Sequence, residues 1–266
     1  MAQLMVSAGE AARRLGVAPA TVQRWVDSGL LHAERTPGGH RRIYVTELRR
    51  LIAANRPADV IGPLAAWLDA LMTGDGSAVK AALLACRQRA ESWGETADEV
   101  ASAIAEIGRR WEAGCCEVFE EHAASEALHR AAAACCGEMH RDSNARRAAL
   151  LTVENERHTL GLSLAELVLA DAGWRTMWIG EGPPAEELAS LATKLKPELL
   201  VVSASSLNKP AAMARYHAAL GKICDGGTQL VLAGSGAWGE AKHPWRVESF
   251  RDLQALLAGQ FAKRSR

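Results

Sequence analysis

The 266-residue chain lacks several features that would assign it to a particular class of protein. No apolar run approaches the roughly 20 residues that a membrane-spanning helix needs, so we expect no membrane partner. Residues 1–14 lack the layout of a secretory signal peptide, which predicts a cytoplasmic protein. The six cysteines include two adjacent pairs but no C-x-x-C pair, a poor arrangement for chelating a metal. We interpret them as small buried thiols, with a cysteine-based metal or redox sensor as an alternative.

The net charge of zero hides an asymmetry along the chain. Residues 1–56 contain nine arginines and four acidic residues, which gives this segment a net charge of +5 and leaves −5 for the remainder. A basic segment joined to an acidic remainder predicts that only the first segment binds a polyanion.

The first thirty residues predict two short helices joined by a tight turn. Ser7–Glu10 has the spacing of a capping box, and after a Gly-Val-Ala turn Pro19 stands at the first position of the second helix. Val22, with either Trp25 or Val26, can pack inward from this helix. The pattern predicts a helix-turn-helix.

Residues 35–44 predict a hairpin with a Pro-Gly-Gly tip and arginines on its return arm, followed by a third helix from about Thr46 to before Pro57. Such a wing would bind DNA phosphates, while the second helix faces a major groove. The side chains expected to contact double-stranded DNA are Arg13, Thr21, Gln23, Arg24, His40, Arg41 and Arg42.

Two segments of this module, Arg24–Leu31 and Thr36–Arg42, together resemble the winged helix-turn-helix of MerR-type and excisionase-type DNA-binding proteins. The resemblance covers residues 5–55 and implies a transcription regulator that binds operator DNA. Metal-sensing MerR regulators have a long dimerisation helix, and its absence here counts against a metal sensor.

The remainder predicts a helical region and then an α/β domain. Alanine-rich helical periodicity predicts a four-helix bundle with helices near 59–73, 78–91, 96–112 and 116–137. Beyond residue 147, strands are predicted near 149–153, 175–179, 198–203, 229–233 and 245–249. They alternate with helices near 159–172, 184–194, 210–222 and 250–263. This alternation predicts a parallel sheet covered on both faces, a flavodoxin-like (Rossmann-like) fold. The predicted domains are 1–56, 57–140 and 147–266.

Glu156, His158 and Gly161 follow the first predicted strand of the α/β domain. Ligands of open α/β sheets bind outside the carboxyl ends of the strands, so this loop is an expected place for a ligand residue. Glu156 can hold one ring nitrogen of His158 and leave the other free for a metal, and Gly161 allows a close approach to the backbone. The acidic-x-His-x-x-Gly spacing resembles the signature of cobalamin-binding domains. The resemblance implies that His158 is the lower ligand to cobalt.

Two later segments resemble the same family pattern. Ser205-Ser206-Leu207 resembles an S-x-L motif, which implies that Ser205 and Leu207 meet the nucleotide tail of the cofactor. Gly234-Ser235-Gly236 resembles the glycine pair after the fourth strand, where a missing Cβ would make room for the dimethylbenzimidazole. Ser235 replaces the usual second glycine.

A third group lies in the helical region. Val118, Glu121 and His122 share one face of the fourth helix, and Trp111 ends the preceding helix close enough to fold over the same place. A flat ring, a small apolar side chain and a carboxylate suit an adenosyl group. The Trp-x9-Glu-His spacing and the domain order resemble the light-dependent cobalamin photoreceptor repressors of the CarH and LitR type.

This resemblance implies an adenosylcobalamin-dependent repressor rather than an enzyme. Its dark, cofactor-bound homo-oligomer, a dimer or tetramer, would bind operator DNA and be released when light cleaves the cobalt–carbon bond. Glu112 departs from the pattern, because those photoreceptors have there a second histidine thought to capture cobalt after illumination. A regulator that senses cobalamin abundance without light is therefore an alternative. A mutase or methyltransferase subunit is another, against which the lack of a substrate barrel counts.

Overall fold

The computed structural model describes residues 5–15, 17–36, 38–48, 62–112, 116–238 and 245–261. The chain divides into two compact units, which are Met1–Gly74 with Ser102–Ser125 and Asp75–Ala101 with Glu126–Arg266. Within the described ranges, every helix is too short or too polar to cross a membrane. The division predicted at residues 1–56, 57–140 and 147–266 stays a prediction.

The N-terminal module is a winged helix-turn-helix. Its elements are β1 (Met5–Ser7), α1 (Ala8–Leu15), α2 (Pro19–Asp27), β2 (Ala33–Arg35) and β3 (Arg41–Tyr44). β3 pairs antiparallel with both other strands, and Val22 and Ile43 are fully buried in the small core. Trp25 and Val26 both pack against this core as half-buried residues. Residues 45–48 are helical, and the rest of the predicted third helix lies outside the described residues.

Two details of this module differ from the prediction. β1 was not predicted, because three residues are too few for a strand periodicity to show. Ser7 Oγ accepts from the backbone N–H of Glu10 at 3.2 Å, but the Glu10 carboxylate pairs with Arg13 and Arg14. The reciprocal half of the predicted capping box is therefore wrong.

Four helices follow, in the predicted order: α3 (Pro63–Met72), α4 (Gly76–Arg89), α5 (Trp93–Glu112) and α6 (Val118–Glu138). Two of them begin earlier than predicted because of side-chain caps. The Asp75 carboxylate accepts from Ser77 N at 2.8 Å and starts α4. The Ser92 hydroxyl accepts from Glu95 N at 3.1 Å and starts α5.

The C-terminal part forms a five-stranded parallel sheet. Its strands are β4 (Arg147–Glu154), β5 (Arg175–Gly182), β6 (Leu199–Ser203), β7 (Gln229–Ala233) and β8 (Trp245–Arg246). The helices between and after them are α7 (Leu160–Asp171), α8 (Leu188–Leu195), α9 (Pro210–Asp225) and α10 (Phe250–Gly259). The strand order β5-β4-β6-β7-β8 is the flavodoxin-like order, so the predicted fold class is confirmed.

β4 is the inner strand that positions the loop described below. Its residues 148–153 are all buried, because β5 and β6 flank it and helices cover both faces. Thr152 is the one polar residue in this run and lies beside Ser203 of β6. The fifth strand is shorter than predicted, since only Trp245 and Arg246 pair with β7.

The first turns of α5 contact α10 within the second unit. The Asp98 carboxylate accepts from the backbone N–H of Phe250 at 2.8 Å and of Arg251 at 3.3 Å. Gly94 N donates to Gln254 Oε1 at 2.8 Å, and a Cβ at Gly94 would lie 2.9 Å from the Phe250 carbonyl oxygen. These contacts leave no room for a larger residue at position 94.

Candidate functional site

The loop after β4 lies at the topological switch point of the sheet. From β4 the chain first forms β5 on one side and then crosses to form β6 on the other side. Asn155 turns the chain with a left-handed φ of 64°. Glu156 N then donates to Val153 O at 3.1 Å, and Thr152 Oγ1 donates to Glu156 O at 2.6 Å. The loop backbone is therefore fixed to the end of its own strand.

Glu156 is the centre of a hydrogen-bond network that joins two of the predicted motifs. Its side chain is only 4% exposed. Oε1 accepts from His158 N at 2.9 Å and contacts His158 Nδ1, while Oε2 accepts from Ser205 N at 3.0 Å and from Asn208 Nδ2 at 2.8 Å. The Ser205 hydroxyl also donates to Oε2. Glu156, His158 and Ser205, which the sequence places far apart, are thus brought together.

The electrostatics of this network fix the form of the histidine. Burial alone would raise the pKa of Glu156, but hydrogen bonds from Ser205 and His158 lower it to about 2. The carboxylate is therefore ionised at neutral pH and can only accept, so Nδ1 of His158 carries the proton. The His158 side chain is 70% exposed, and its described hydrogen bonds use the backbone N and Nδ1, so Nε2 is the ring nitrogen available to a metal ion. An exposed imidazole nitrogen of this kind fits the role of lower ligand to cobalt that the sequence predicts for His158.

The surface around His158 offers space for a large ligand. A Cβ at Gly161, in the first turn of α7, would have no atom within 4 Å beyond its chain neighbours and the backbone of its own helix. Leu207, in the loop after β6, is 77% exposed. Open space and an exposed apolar side chain are what a flat organic group needs to pack against this edge.

The glycines after β7 have a packing reason of their own. Gly234 has a left-handed φ of 81°, and a Cβ there would lie 2.3 Å from the Ala204 carbonyl oxygen. A Cβ at Gly236 would lie 2.6 Å from the Ala204 Cβ. Close approach to β6 therefore requires both glycines whether or not a ligand ring binds. Ser235 Oγ accepts from Ser206 N at 3.1 Å and holds the S-x-L segment in place.

Three further residues support the loop and were not predicted. Asn208 donates to Glu156. The feature of the sequence that could have identified it is its place directly after the S-x-L segment. Thr152 Oγ1 also accepts from Gly182 N at 3.2 Å. The feature of the sequence that could have identified it is a single hydroxyl residue within an apolar strand. Tyr216 is buried, its hydroxyl lies 3.4 Å from Thr152 O, and burial raises its pKa. No local pattern distinguished this tyrosine.

The predicted cap residues lie in the first unit, on the last turn of α5 and the first turns of α6. Trp111 is 48% exposed and Val118 is 54% exposed. Glu121 Oε1 accepts from Ser125 Oγ at 2.7 Å, and His122 is exposed. Phe119, which was not predicted, is 70% exposed. These side chains are therefore available for contacts with a ligand, and their role as a cap stays a prediction.

The predicted DNA contacts fall into three groups. Gln23, His40, Arg41 and Arg42 line one groove together with residues 7–9 at the start of α1. Arg24 is exposed and Thr21 half-buried on α2. Arg13 is mostly exposed but is bonded to Glu10, and Arg41 donates to Asp27 at 2.6 Å. Arg42 and Arg24 are therefore the better placed of the arginines for phosphates.

Four of the five described cysteines are buried, as the sequence predicts. Burial raises the pKa of Cys86, Cys116, Cys135 and Cys136, the last to about 12. Thiols with raised pKa are poor nucleophiles and poor metal ligands. Cys224 is half-buried, and Cys115 lies outside the described residues. Within the described part of the chain, no three His, Cys, Asp or Glu side chains are grouped as a metal site.

Comparison with known proteins gives two family matches. Residues 5–56 match a family described as a helix-turn-helix domain, and residues 64–135 match a family described as a B12 binding domain. The chain is 26% identical over 236 residues to the HTH-type transcriptional repressor CarH of Myxococcus xanthus. That alignment covers 73% of this chain and 76% of the relative.

Among solved structures, the chain is similar to the monomethylamine corrinoid protein of Methanosarcina barkeri. The TM-score is 0.52 at 14% identity, over 71% of this chain and 94% of that one, which supports the fold. The predicted resemblance to a CarH-type regulator, with a helix-turn-helix and a B12-binding domain, is confirmed by the family matches and the similarity to CarH.

Proposed function

We propose that this protein is an adenosylcobalamin-dependent transcriptional repressor that responds to light, with His158 as the lower ligand to cobalt. The observation that carries the proposal is the Glu156 network. It holds one nitrogen of an exposed histidine on a buried carboxylate and leaves the other nitrogen directed away from it, at the switch point of a flavodoxin-like sheet. The helix-turn-helix match and the similarity to CarH support a regulator rather than an enzyme.

Each group of predicted site residues would contact a different part of the cofactor. Glu156 and Ser205 orient His158, while Leu207 and Gly161 bound the space beside it, with the nucleotide tail near Gly234, Ser235 and Gly236. The bound cofactor would supply a cobalt–carbon bond that light cleaves. Trp111, Val118, Glu121 and His122 would enclose the adenosyl group.

Loss of the adenosyl group would uncover the apolar side chains of Trp111 and Val118. Because exposing them costs free energy, the cap would favour a different packing in the dark and in the light. A dark homo-oligomer, dimeric or tetrameric, would present several winged modules to operator DNA at once and bind it tightly. Dissociation to single chains would release the DNA.

The lower-ligand assignment is tested by absorption spectra of the protein mixed with adenosylcobalamin in darkness. We expect a histidine-ligated spectrum for the natural protein and for His140→Ala, which removes an exposed histidine outside the site. His158→Ala and His158→Gln should give the spectrum of cobalamin without a protein imidazole. Identical spectra for all four proteins would remove His158 from the site.

The second candidate, a sensor of cobalamin abundance without photochemistry, is favoured by Glu112 at the position of the second histidine. Illumination of the loaded protein separates the two. Size would be followed by light scattering, and binding would be followed to a DNA duplex selected from a random pool by the dark, loaded protein. Dissociation of oligomer and DNA on illumination supports the photoreceptor, and an unchanged complex supports the abundance sensor.

A further inference from the structure

His129 of α6 makes an unusual pair of hydrogen bonds inside the second unit. Its Nδ1 lies 2.6 Å from Ser163 Oγ, and its Nε2 lies 3.2 Å from Thr159 Oγ1. The half-buried ring also packs edge-on against Trp178 of β5, with the ring centroids 6.1 Å apart at 87°. Both nitrogens of one imidazole are thus occupied by hydroxyl groups from another part of the chain.

Those two hydroxyls belong to the start of α7. Thr159 directly follows His158 and is the N-cap residue of α7, where a threonine hydroxyl ordinarily accepts from the helix backbone. Here the hydroxyl makes no such capping bond and contacts His129 instead. Ser163 lies one turn further along the same helix. A side chain of α6 therefore anchors both the residue next to His158 and the first turn that follows it.

The hydrogen bonds do not depend on one tautomer of the neutral ring. Burial lowers the pKa of His129, and the nearby Glu126 carboxylate partly opposes that shift. A neutral imidazole has one donor and one acceptor nitrogen, and each hydroxyl can take either role. Position, rather than proton transfer, is what this arrangement provides.

The same helix carries the cap residues. His129 is seven residues after His122, or about two helical turns, so the two side chains project from the same side of α6. Val118 and Glu121 lie on the preceding turns. Within the second unit, His129 therefore links α6 directly to Thr159 and Ser163.

We propose that His129 is a positioning residue, which ties the loop carrying His158 to the helix carrying the cap. This inference rests on the proposed function for its meaning, since it concerns the same cofactor site. The anchoring of Thr159 and Ser163 by His129 can nevertheless be measured in the cofactor-free protein.

Three variants test it. His129→Phe keeps a ring against Trp178 and loses both hydrogen bonds, His129→Gln keeps a donor and an acceptor, and His140→Gln is the control at an exposed histidine. Amide hydrogen exchange of residues 160–164 is measured in the cofactor-free full chain. Because two neutral hydrogen bonds are lost, we expect exchange about tenfold faster in His129→Phe, a partial return in His129→Gln and no change in the control.

Hydroxocobalamin is the second probe. His129→Phe should lower the fraction of cobalt with a histidine-ligated spectrum, because the His158 loop samples more conformations, and His129→Gln should recover part of it. Unchanged exchange and an unchanged spectrum in His129→Phe would overturn the inference while the proposed function stands. A natural protein with the same spectrum as His158→Ala would refute the lower-ligand part of the proposed function, whereas the exchange result would still decide whether His129 anchors α7.

If His129→Phe fails to fold, Thr159→Val tests the same contact from its other partner. That variant removes the hydroxyl that contacts His129 Nε2 and keeps the volume of the side chain. Faster exchange of residues 160–164 in Thr159→Val supports the inference, and exchange at the natural rate overturns it.

Discussion

Replacing Glu156 with glutamine should destabilise the α/β domain in a way that depends on pH. The glutamine keeps the shape of the side chain, but its amide nitrogen must face donors, either those of His158 or those of Ser205 and Asn208. The pKa of Glu156 falls from 4.5 to about 2 on folding. At 1.36 kcal/mol for each pKa unit, the ionised carboxylate contributes about 3 kcal/mol to the free energy of unfolding at neutral pH.

The sign of the pH dependence follows from the direction of that shift. Because the pKa is lower in the folded protein, the unfolded chain takes up the proton first as the pH falls. The contribution of Glu156 is therefore fully present above pH 4.5 and is lost between pH 4.5 and pH 2. Glu156→Gln should be about 3 kcal/mol less stable at pH 7, and the difference should narrow at pH 3.5.

Urea unfolding followed by circular dichroism at pH 7, 5 and 3.5 measures both effects. Glu186→Gln, at an exposed position of the same domain, is the matched control and should change stability by less than about 0.5 kcal/mol. A loss below about 1 kcal/mol at pH 7, or a difference that stays constant with pH, would show that the network does not stabilise the ionised carboxylate.

Three other substitutions have distinct expected outcomes. Gly234→Ala should cost at least about 2 kcal/mol in thermal unfolding, because it combines a left-handed φ with a clash against Ala204; a neutral effect would mean that the turn relaxes freely. Gly161→Ala should stabilise the cofactor-free protein by about 0.5 kcal/mol and yet weaken hydroxocobalamin binding in a spectroscopic titration, whereas unweakened binding would place the cofactor elsewhere. Arg42→Ala should lower the slope of log affinity for DNA against log salt by about 1, and an unchanged slope would exclude a phosphate contact.

The parts of the site that are local in sequence could be predicted. Glu156 and His158 directly follow an apolar strand, so their place at the sheet edge and their hydrogen bond follow from strand geometry and spacing alone. Ser205 follows another strand of the same parallel sheet, and carboxyl ends of parallel strands meet at one edge.

The parts that depend on tertiary packing could not be predicted. Asn208 and His129 reach the loop from other elements, and nothing in their neighbours along the chain indicates a partner. The physical reason for a glycine at position 234 also differs from the prediction. The sequence suggested that the missing Cβ leaves room for a ligand, whereas in the structure the Ala204 carbonyl oxygen lies 2.3 Å from where that Cβ would be. A glycine in the sequence can indicate that space is restricted at that position, but it does not identify the atom that restricts it.

The contact of Asp98 with the backbone of α10 bears on how this protein could be dissected. A fragment that begins after α6 would keep every strand of the sheet, yet it would lose the carboxylate that binds the first two amide groups of the final helix and the glycine against which that helix lies. An isolated sheet fragment should therefore fray at its C-terminal end, and adding back residues 75–101 should restore it. For biochemical work and for gene fusion, α4, the first half of α5, the second half of α6 and the sheet are best kept together.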